Sequence, residues 1–205
     1  MCDDPNISSE SATPTGLLLV ISGPSGVGKD TVWRAASPCL PTFTKAITCT
    51  TRTQRPGEVH GVSYFFVSDA EFDRLIRENQ LLEWAHVHNA RYGVPAGPVL
   101  DRLNQGEDVV CVIDVQGAQK IRSLFTNALL VFLKPPEGRE SDVLKERIEQ
   151  RGSIAADELE SRLNKAYWEL THIPLYDHQI VNDEVQNAAR QLCEIVAQEQ
   201  QKRAR

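Results

Sequence analysis

The order of apolar and polar positions along the 205-residue chain predicts strands that alternate with helices. Three short, mostly apolar runs, at 17–22, 109–113 and 129–133, are the clearest strands. Such runs, bounded by glycine, proline or charged residues, are typical of strands that are buried on both faces of a parallel sheet. Because helical patterns lie between them, the chain is predicted to be an α/β protein built from βαβ units.

The remaining elements follow from the same patterns. Further strands are predicted at 46–51, 64–67, 82–87 and 178–181. Helices are predicted at 30–36, 69–77, 99–103, 117–124 and 184–197, with two highly charged ones at 139–151 and 157–167. The two charged helices are too polar for a core, so we expect them to form a mobile cover or a solvated face.

Composition narrows the functional classes. A formal charge of −6, from 22 Lys and Arg against 28 Asp and Glu, argues against a general nucleic-acid binder but leaves room for a local phosphate pocket. No run approaches the roughly 20 apolar residues of a membrane span. Five cysteines without zinc-ligand spacing predict reduced thiols. Residues 1–15 lack the pattern of a secretory signal, so we expect a disordered tail on a cytoplasmic protein.

A glycine-rich segment between the first strand and the first helix predicts a phosphate site. Glycines let backbone N–H groups surround a phosphate, while the helix N-terminus and Lys29 add positive charge. The residues assigned to the ATP phosphates are Gly23, Pro24, Ser25, Gly26, Val27, Gly28, Lys29, Asp30 and Thr31. The motif usually continues with Ser or Thr as a Mg²⁺ ligand, but here Asp30 follows Lys29, so direct ligation by the protein is an open question. By itself the motif also fits a glycine-rich turn.

A second group of phosphate-binding candidates lies in the segment 48–58. Arg52 and Arg55, near hydroxyl side chains and a Pro-Gly turn, can form a fork for a phosphate. Taken alone, the segment fits a solvated surface loop better.

Several further motifs follow in order and change this interpretation. They lie at 61–67, 82–85, 92–93, 113–118, 147–152 and 177–183. Together with the two phosphate segments they resemble guanylate kinase from Leu17 to the closing helix, which is nearly the whole chain.

This resemblance implies a P-loop NTPase-type parallel-sheet core flanked by helices, with an inserted α/β GMP-binding subdomain and a helical lid. The implied single domain, 16–198, divides into a core (16–47, 98–138 and 168–198), a GMP-binding subdomain (48–97) and a lid (139–167), with a charged tail at 199–205. The implied reaction is phosphoryl transfer from ATP to GMP, and to dGMP, with Mg²⁺, in purine nucleotide metabolism. ATP and GMP are then the partners of a monomer or small homo-oligomer, without nucleic acid or membrane.

The resemblance also assigns roles to individual positions. Those implied to bind GMP are Arg52, Arg55, Tyr64 and Tyr92 at the phosphate, Glu83 and Thr48 at the guanine, and Asp114 near both GMP and the metal. Those implied to be catalytic are Lys29 and the lid residues Arg147, Arg151 and Arg162. Asn182 lies where the family contacts adenine. The metal candidates are Asp30, Thr31 and Asp114.

The chemistry is consistent with these residue types. Guanine presents two adjacent donors, N1–H and the 2-amino group, and one carboxylate can accept both, whereas adenine presents a bare acceptor at N1. Charged hydrogen bonds contribute roughly 1.5–3 kcal/mol each. No catalytic base is expected, because the acceptor phosphate, with a second pKa of about 6, is already deprotonated at neutral pH.

Two positions depart from the family pattern, and alternatives remain. Val94 stands where the family commonly has a hydroxyl for guanine O6, and Val112 stands where an acidic residue is frequent. We hypothesise that Asp30 compensates for Val112.

Another phosphotransferase on this scaffold, such as a ribose bisphosphate kinase, would lack Glu83 as guanine ligand. A non-catalytic guanylate-kinase-like module would lose phosphate-loop or lid residues, and a GTPase switch would show its own base-recognition motif.

Overall fold

The structure, a computed structural model, describes residues 15–87, 89–149 and 156–203, without the side chains of residues 141, 147–149 and 156–158. The strands are β1 (Leu18–Ser22), β2 (Phe43–Lys45), β3 (Cys49–Thr50), β4 (Phe65–Phe66), β5 (Leu81–Val87), β6 (Ala90–Pro95), β7 (Asp108–Val112), β8 (Leu129–Lys134) and β9 (His178–Val181). The α-helices are α1 (Lys29–Ala36), α2 (Asp69–Arg77), α3 (Ala96–Asn104), α4 (Val115–Leu124), α5 (Glu140–Glu149), α6 (Ala156–Leu170) and α7 (Val185–Arg203).

The main sheet has the order β2-β7-β1-β8-β9, and all its neighbouring strands are parallel. Its central strand β1 is buried throughout, which accounts for its unbroken apolar sequence. Alternate residues face two apolar clusters: Leu19 and Ile21 pack with α1 and α7, while Leu18 and Val20 pack with α3 and α4. The predicted α/β architecture with a parallel sheet flanked by helices is confirmed.

A second sheet, of order β4-β3-β6-β5, is inserted between β2 and α3. Strand β6 pairs antiparallel with both β3 and β5, whereas β3 and β4 are parallel. Helix α2 begins after its N-cap Ser68, whose hydroxyl accepts a hydrogen bond from the Glu71 N–H at 3.1 Å. Glu83 and Tyr92 lie in this smaller sheet, and Thr48, Arg52, Arg55 and Tyr64 lie in the segments that adjoin β3 and β4.

Several elements differ from the sequence prediction. Strands β2 and β6 were not predicted, because β2 is only three residues long and β6 includes a glycine and ends in a proline. The predicted strand 46–51 contributes only Cys49–Thr50 to a sheet. Helices α6 and α7 extend to Leu170 and Arg203, beyond their predicted ends.

The expectation of reduced thiols is wrong for one pair of cysteines. Cys39, in the short 3₁₀ turn after α1, and Cys193, in α7, form a disulfide with their Cα atoms 6.4 Å apart. The two residues are 154 positions apart in sequence, so spacing gave no signal for the pair. They meet because α1 and α7 pack on the same face of the sheet. Cys49 and Cys111 are buried free thiols.

Three other expectations concern the N-terminal tail, the subdomain boundaries and the membrane. The expected tail at 1–15 lies outside the described residues except for Thr15, and the subdomain boundaries remain predictions. Within the described ranges, no helix has the combined length and apolar character that crossing a membrane requires.

Candidate active site

The phosphate loop connects β1 to α1, and its backbone conformation requires glycine. Gly23 has a φ of +141°, and a Cβ there would collide with the carbonyl group of Leu133 in β8. Gly28, at the N-cap of α1, has a φ of +97° in the left-handed region. The amide of Val32 donates to the carbonyl of Gly28 at 2.9 Å, so the helix starts directly at the loop. The predicted strand–loop–helix arrangement is present.

Two side chains donate hydrogen bonds to the backbone of the loop. The Lys29 ammonium group donates to the carbonyl oxygens of Gly23 at 2.7 Å and Pro24 at 3.2 Å. The Asn182 amide nitrogen donates to the carbonyl of Val27 at 2.7 Å, and Asn182 is only 1% exposed. This contact places Asn182 against the loop itself, and its contact with adenine stays a prediction.

Glu169, which the sequence did not single out, is a further support of the loop. Its Oε2 accepts a hydrogen bond from the backbone N–H of Ser25 at 3.2 Å, and the residue is 2% exposed. Burial raises the pKa of Glu169, whereas the nearby charges of Lys29 and Lys165 oppose that rise. Helix α6 is thereby tied to the turn that surrounds the phosphate position.

The unusual acidic residue of the motif already has a cation. Asp30 and Thr31 are exposed in the first turn of α1, and the Asp30 carboxylate pairs with Lys45 of β2 at 2.7 Å. Val112, two positions beyond the β7 partner of Lys45, is half-buried and packs on the same side of the sheet as α1. The hypothesis that Asp30 compensates for Val112 remains a prediction.

The acceptor phosphate candidates form a network around Arg52. Its guanidinium group donates to Glu58 at 2.7 Å and to the Tyr92 hydroxyl at 3.1 Å, and lies 5.4 Å from the ring centre of Tyr64. Glu58 also accepts from the backbone N–H of Arg55 at 2.8 Å. The hydrogen bond with Arg52 lowers the pKa of Glu58, so Glu58 is ionised at neutral pH. Sequence reasoning assigned no role to Glu58, although it lies in the same loop as both arginines.

The other predicted GMP ligands lie beside this network. Tyr64 is half-buried with its ring centre 6.0 Å from that of Tyr92, and burial raises its pKa to about 12, so its phenol stays a neutral donor. The Arg55 side chain is exposed. Thr48 is half-buried just before β3, and its carbonyl accepts from the Phe65 N–H at 3.0 Å.

Glu83 is a buried carboxylate at the junction of the two sheets. It lies in β5 opposite Val94 of β6 and is 5% exposed. Helix α4 packs on β5, and the carboxyl group lies against the Cα of Gly117, where an added Cβ would come within 2.7 Å of the Glu83 Cδ. Burial, and then the charge of Asp114, raise the pKa of Glu83 to about 8, while the Val94 backbone N–H opposes the shift. The acid is therefore largely neutral at pH 7.

Asp114 links this carboxylate to the phosphate loop. It is the N-cap of α4, where its Oδ1 accepts from the Gly117 N–H at 3.0 Å. Its Oδ2 lies 3.6 Å from the Nζ of Lys165 in α6. Asp114 thus stands between Glu83 of the small sheet and Glu169 beside the loop, and its charge raises the pKa of both.

The lid arginines are only partly described. Arg162 is half-buried on α6, one helical turn before Lys165. Arg147 lies on α5, but its side chain and the whole of Arg151 lie outside the described residues. The catalytic role of these three arginines stays a prediction.

Comparisons with known proteins agree with this arrangement. The guanylate kinase family profile matches residues 15–199. Guanylate kinase from Gloeobacter violaceus is 46% identical over 177 residues, covering 86% of this chain and 85% of the relative. That from Caldanaerobacter subterraneus is 41% identical over 184 residues, covering 90% and 88%. The crystal structure of guanylate kinase from Anaplasma phagocytophilum superposes with a TM-score of 0.73 at 30% identity, covering 92% of this chain and 88% of that one. The chain belongs to the guanylate kinase family, whose members are nucleoside monophosphate kinases.

Proposed function

We propose that this chain transfers the γ-phosphoryl group of ATP to GMP, and also to dGMP, to give ADP and the guanosine diphosphate. The observation that carries the choice of acceptor is the buried Glu83, which lies between β6 and α4 with its carboxyl group against Gly117. The guanosine diphosphate enters purine nucleotide metabolism, and the reaction thereby recycles GMP. We place the reaction in the cytoplasm, with the chain acting as a monomer or small homo-oligomer and without a nucleic-acid or membrane partner.

Glu83 would bind guanine through its N1–H and 2-amino donors. A buried carboxylate without a full set of donors is costly, and guanine supplies the missing pair. Adenine would turn its N1 acceptor toward the ionised carboxylate and leave those oxygens unsatisfied. Because Val94 offers no side-chain hydrogen bond, discrimination in this chain rests on Glu83, with Thr48 as its hydroxyl companion.

Phosphoryl transfer needs alignment and charge neutralisation more than acid–base chemistry. Arg52, Arg55, Tyr64 and Tyr92 would hold the GMP phosphate, whose oxygen attacks the γ-phosphorus. Lys29 and the loop N–H groups would hold the ATP phosphates. The lid arginines Arg147, Arg151 and Arg162 would complete the set and exclude water, which otherwise competes as acceptor.

The donor set is compatible with Mg²⁺. Within the described residues, no three His, Cys, Asp or Glu side chains form a complete metal cluster. Mg²⁺ does not require one, because it usually binds through one or two carboxylates, substrate phosphates and water. Asp114 is the best-placed carboxylate, since its Oδ2 is buried and, among the described residues, has only the long contact to Lys165, whereas Asp30 is paired with Lys45. When bound, the ion would neutralise phosphate charge.

A coupled assay of ADP release with GMP, dGMP, IMP, AMP and UMP tests the proposal. We expect turnover with GMP and dGMP, weaker turnover with IMP and very little with AMP or UMP. Glu83→Gln should lose efficiency with GMP more than with IMP, because IMP lacks the 2-amino group. Activity with AMP or UMP but not with GMP would overturn the assignment.

A further inference from the structure

Helix α6 presents a lysine to the centre of the site, at a position to which the sequence assigned no role. The Nζ of Lys165 lies 3.6 Å from the Oδ2 of Asp114, with the two side chains 24% and 15% exposed. Asp114 follows the carboxyl end of β7, the edge of an open parallel sheet where ligands bind. The lysine therefore reaches from the lid helix to the place where the two nucleotides must meet.

The charges around Asp114 favour a second lysine beside Lys29 in this part of the site. Asp114 lies close enough to Glu83 and to Glu169 for its charge to raise the pKa of each. Lys29 and Lys165 are the cations that oppose the raised pKa of Glu169. The phosphates of two bound nucleotides would add further negative charge to this part of the site. The ammonium group of Lys165 would then have a more strongly charged partner than Asp114.

The contact with Asp114 is loose enough to be exchanged. A separation of 3.6 Å is too long for a hydrogen bond, so only the attraction between the two charges joins these side chains. A lysine carries its charge on a flexible four-carbon stem. The helix itself is held in place, since Glu169, one turn further on, binds the Ser25 N–H.

We propose that Lys165 is a phosphate-binding residue of the transfer site, which holds Asp114 in the nucleotide-free protein and moves to the phosphate oxygens when nucleotides bind. This inference rests on the proposed function. Lys165 would then act beside Arg162, which precedes it by three residues and so lies on the same face of α6.

Binding and turnover of Lys165→Met and Lys165→Arg test the proposal. The probe is a bisubstrate analogue in which guanosine and adenosine are joined by five phosphates, titrated in the presence of EDTA so that no metal takes part. We expect Lys165→Met to bind it roughly ten- to a hundredfold more weakly, as for the loss of one charged hydrogen bond. Lys165→Arg should recover part of the affinity, and Lys145→Met, at an exposed lysine of α5, should bind like the wild type.

A second background separates phosphate binding from support of Asp114. If Lys165 served only to hold that carboxylate, Lys165→Met would change neither affinity nor kcat in a protein that already carries Asp114→Asn. The proposal predicts that affinity and kcat still fall when Lys165→Met is added to Asp114→Asn. Equal values for Asp114→Asn and for the double variant would overturn it. Thermal unfolding of each variant reports whether the fold is intact. If the wild type failed to phosphorylate GMP, the proposed function would fail first, and a wild-type-like Lys165→Met in an active enzyme would sink this inference alone.

Discussion

The phosphate loop and the acceptor site both present groups for a phosphate, yet different parts of the polypeptide fix them. The loop is fixed by backbone geometry, because Gly23 and Gly28 adopt φ values of +141° and +97° and a Cβ at Gly23 would collide with β8. The acceptor site is fixed by side chains that bind one another, with Arg52 held by Glu58 and Tyr92. The first site is thus preformed, whereas ligands of the second site have partners that the substrate must join or replace.

This difference predicts different consequences of mutation. In the loop, most of the binding geometry survives the loss of a side chain, so substitutions should affect the chemical step more than ATP binding. In the acceptor site, each side chain positions the next, so substitutions should appear chiefly in the KM for GMP.

The largest expected effect is that of Lys29→Met. Loss of the ammonium group removes a charge that the transferring phosphoryl group requires, and kcat should fall by roughly a hundred- to a thousandfold. The KM for ATP should change much less, because the loop backbone and its supports Glu169 and Asn182 remain. Steady-state kinetics, with circular dichroism to check the fold, measures both. An increase in the KM for ATP as large as the loss in kcat would contradict a preformed loop.

The next effect is that of Gly117→Ala, which adds a methyl group where the Glu83 carboxyl group lies. Overpacking of this kind typically costs about 1–3 kcal/mol, so the KM for GMP should rise roughly tenfold while that for ATP stays near its wild-type value. Gly97→Ala is the matched control, because an added Cβ there meets nothing within 4 Å. If both variants bound GMP like the wild type, the close contact would have no part in base recognition.

The smallest effect is expected for Glu58→Gln. Without the charge of Glu58, Arg52 loses its strongest partner, and the KM for GMP should rise by about threefold, within the range of a partly exposed ion pair. Glu78→Gln, which weakens an exposed pair with Arg74 on α2, serves as control in the same assay. Tighter GMP binding by Glu58→Gln would show that Glu58 competes with the phosphate instead of ordering Arg52.

The sequence predicted the parts of the protein whose chemistry is local. The buried strands and the phosphate loop are each visible in consecutive or near-consecutive residues. The assignments around Arg52 and Glu83 came from a resemblance that spans most of the chain. For these parts, the order of residues and motifs along the chain was sufficient for the prediction.

The residues that were missed act through partners distant in sequence. Glu169 and Ser25 are 144 positions apart, and Cys39 and Cys193 are 154 apart. Lys165 on a charged helix is indistinguishable from its solvated neighbours until the fold brings it to Asp114. The role of Gly117 depends on the side chain of another strand, so no turn or positive φ marked it in advance.

The central claim is that Glu83 binds guanine as an ionised carboxylate, and proton release on GMP binding tests it most directly. In the free protein its pKa of about 8 leaves it mostly protonated at pH 7, while the two guanine donors require the ionised form. Affinity for GMP should therefore rise with pH up to about 8 and then level off. Calorimetric titrations at pH 7, in buffers of different ionisation enthalpy, measure the number of protons released when GMP binds. The Glu83→Gln variant releases protons only from the nucleotide phosphate, and the wild type should release about one proton more per GMP. Equal proton counts for the two proteins, with an affinity that does not change between pH 6 and pH 8, would contradict the account.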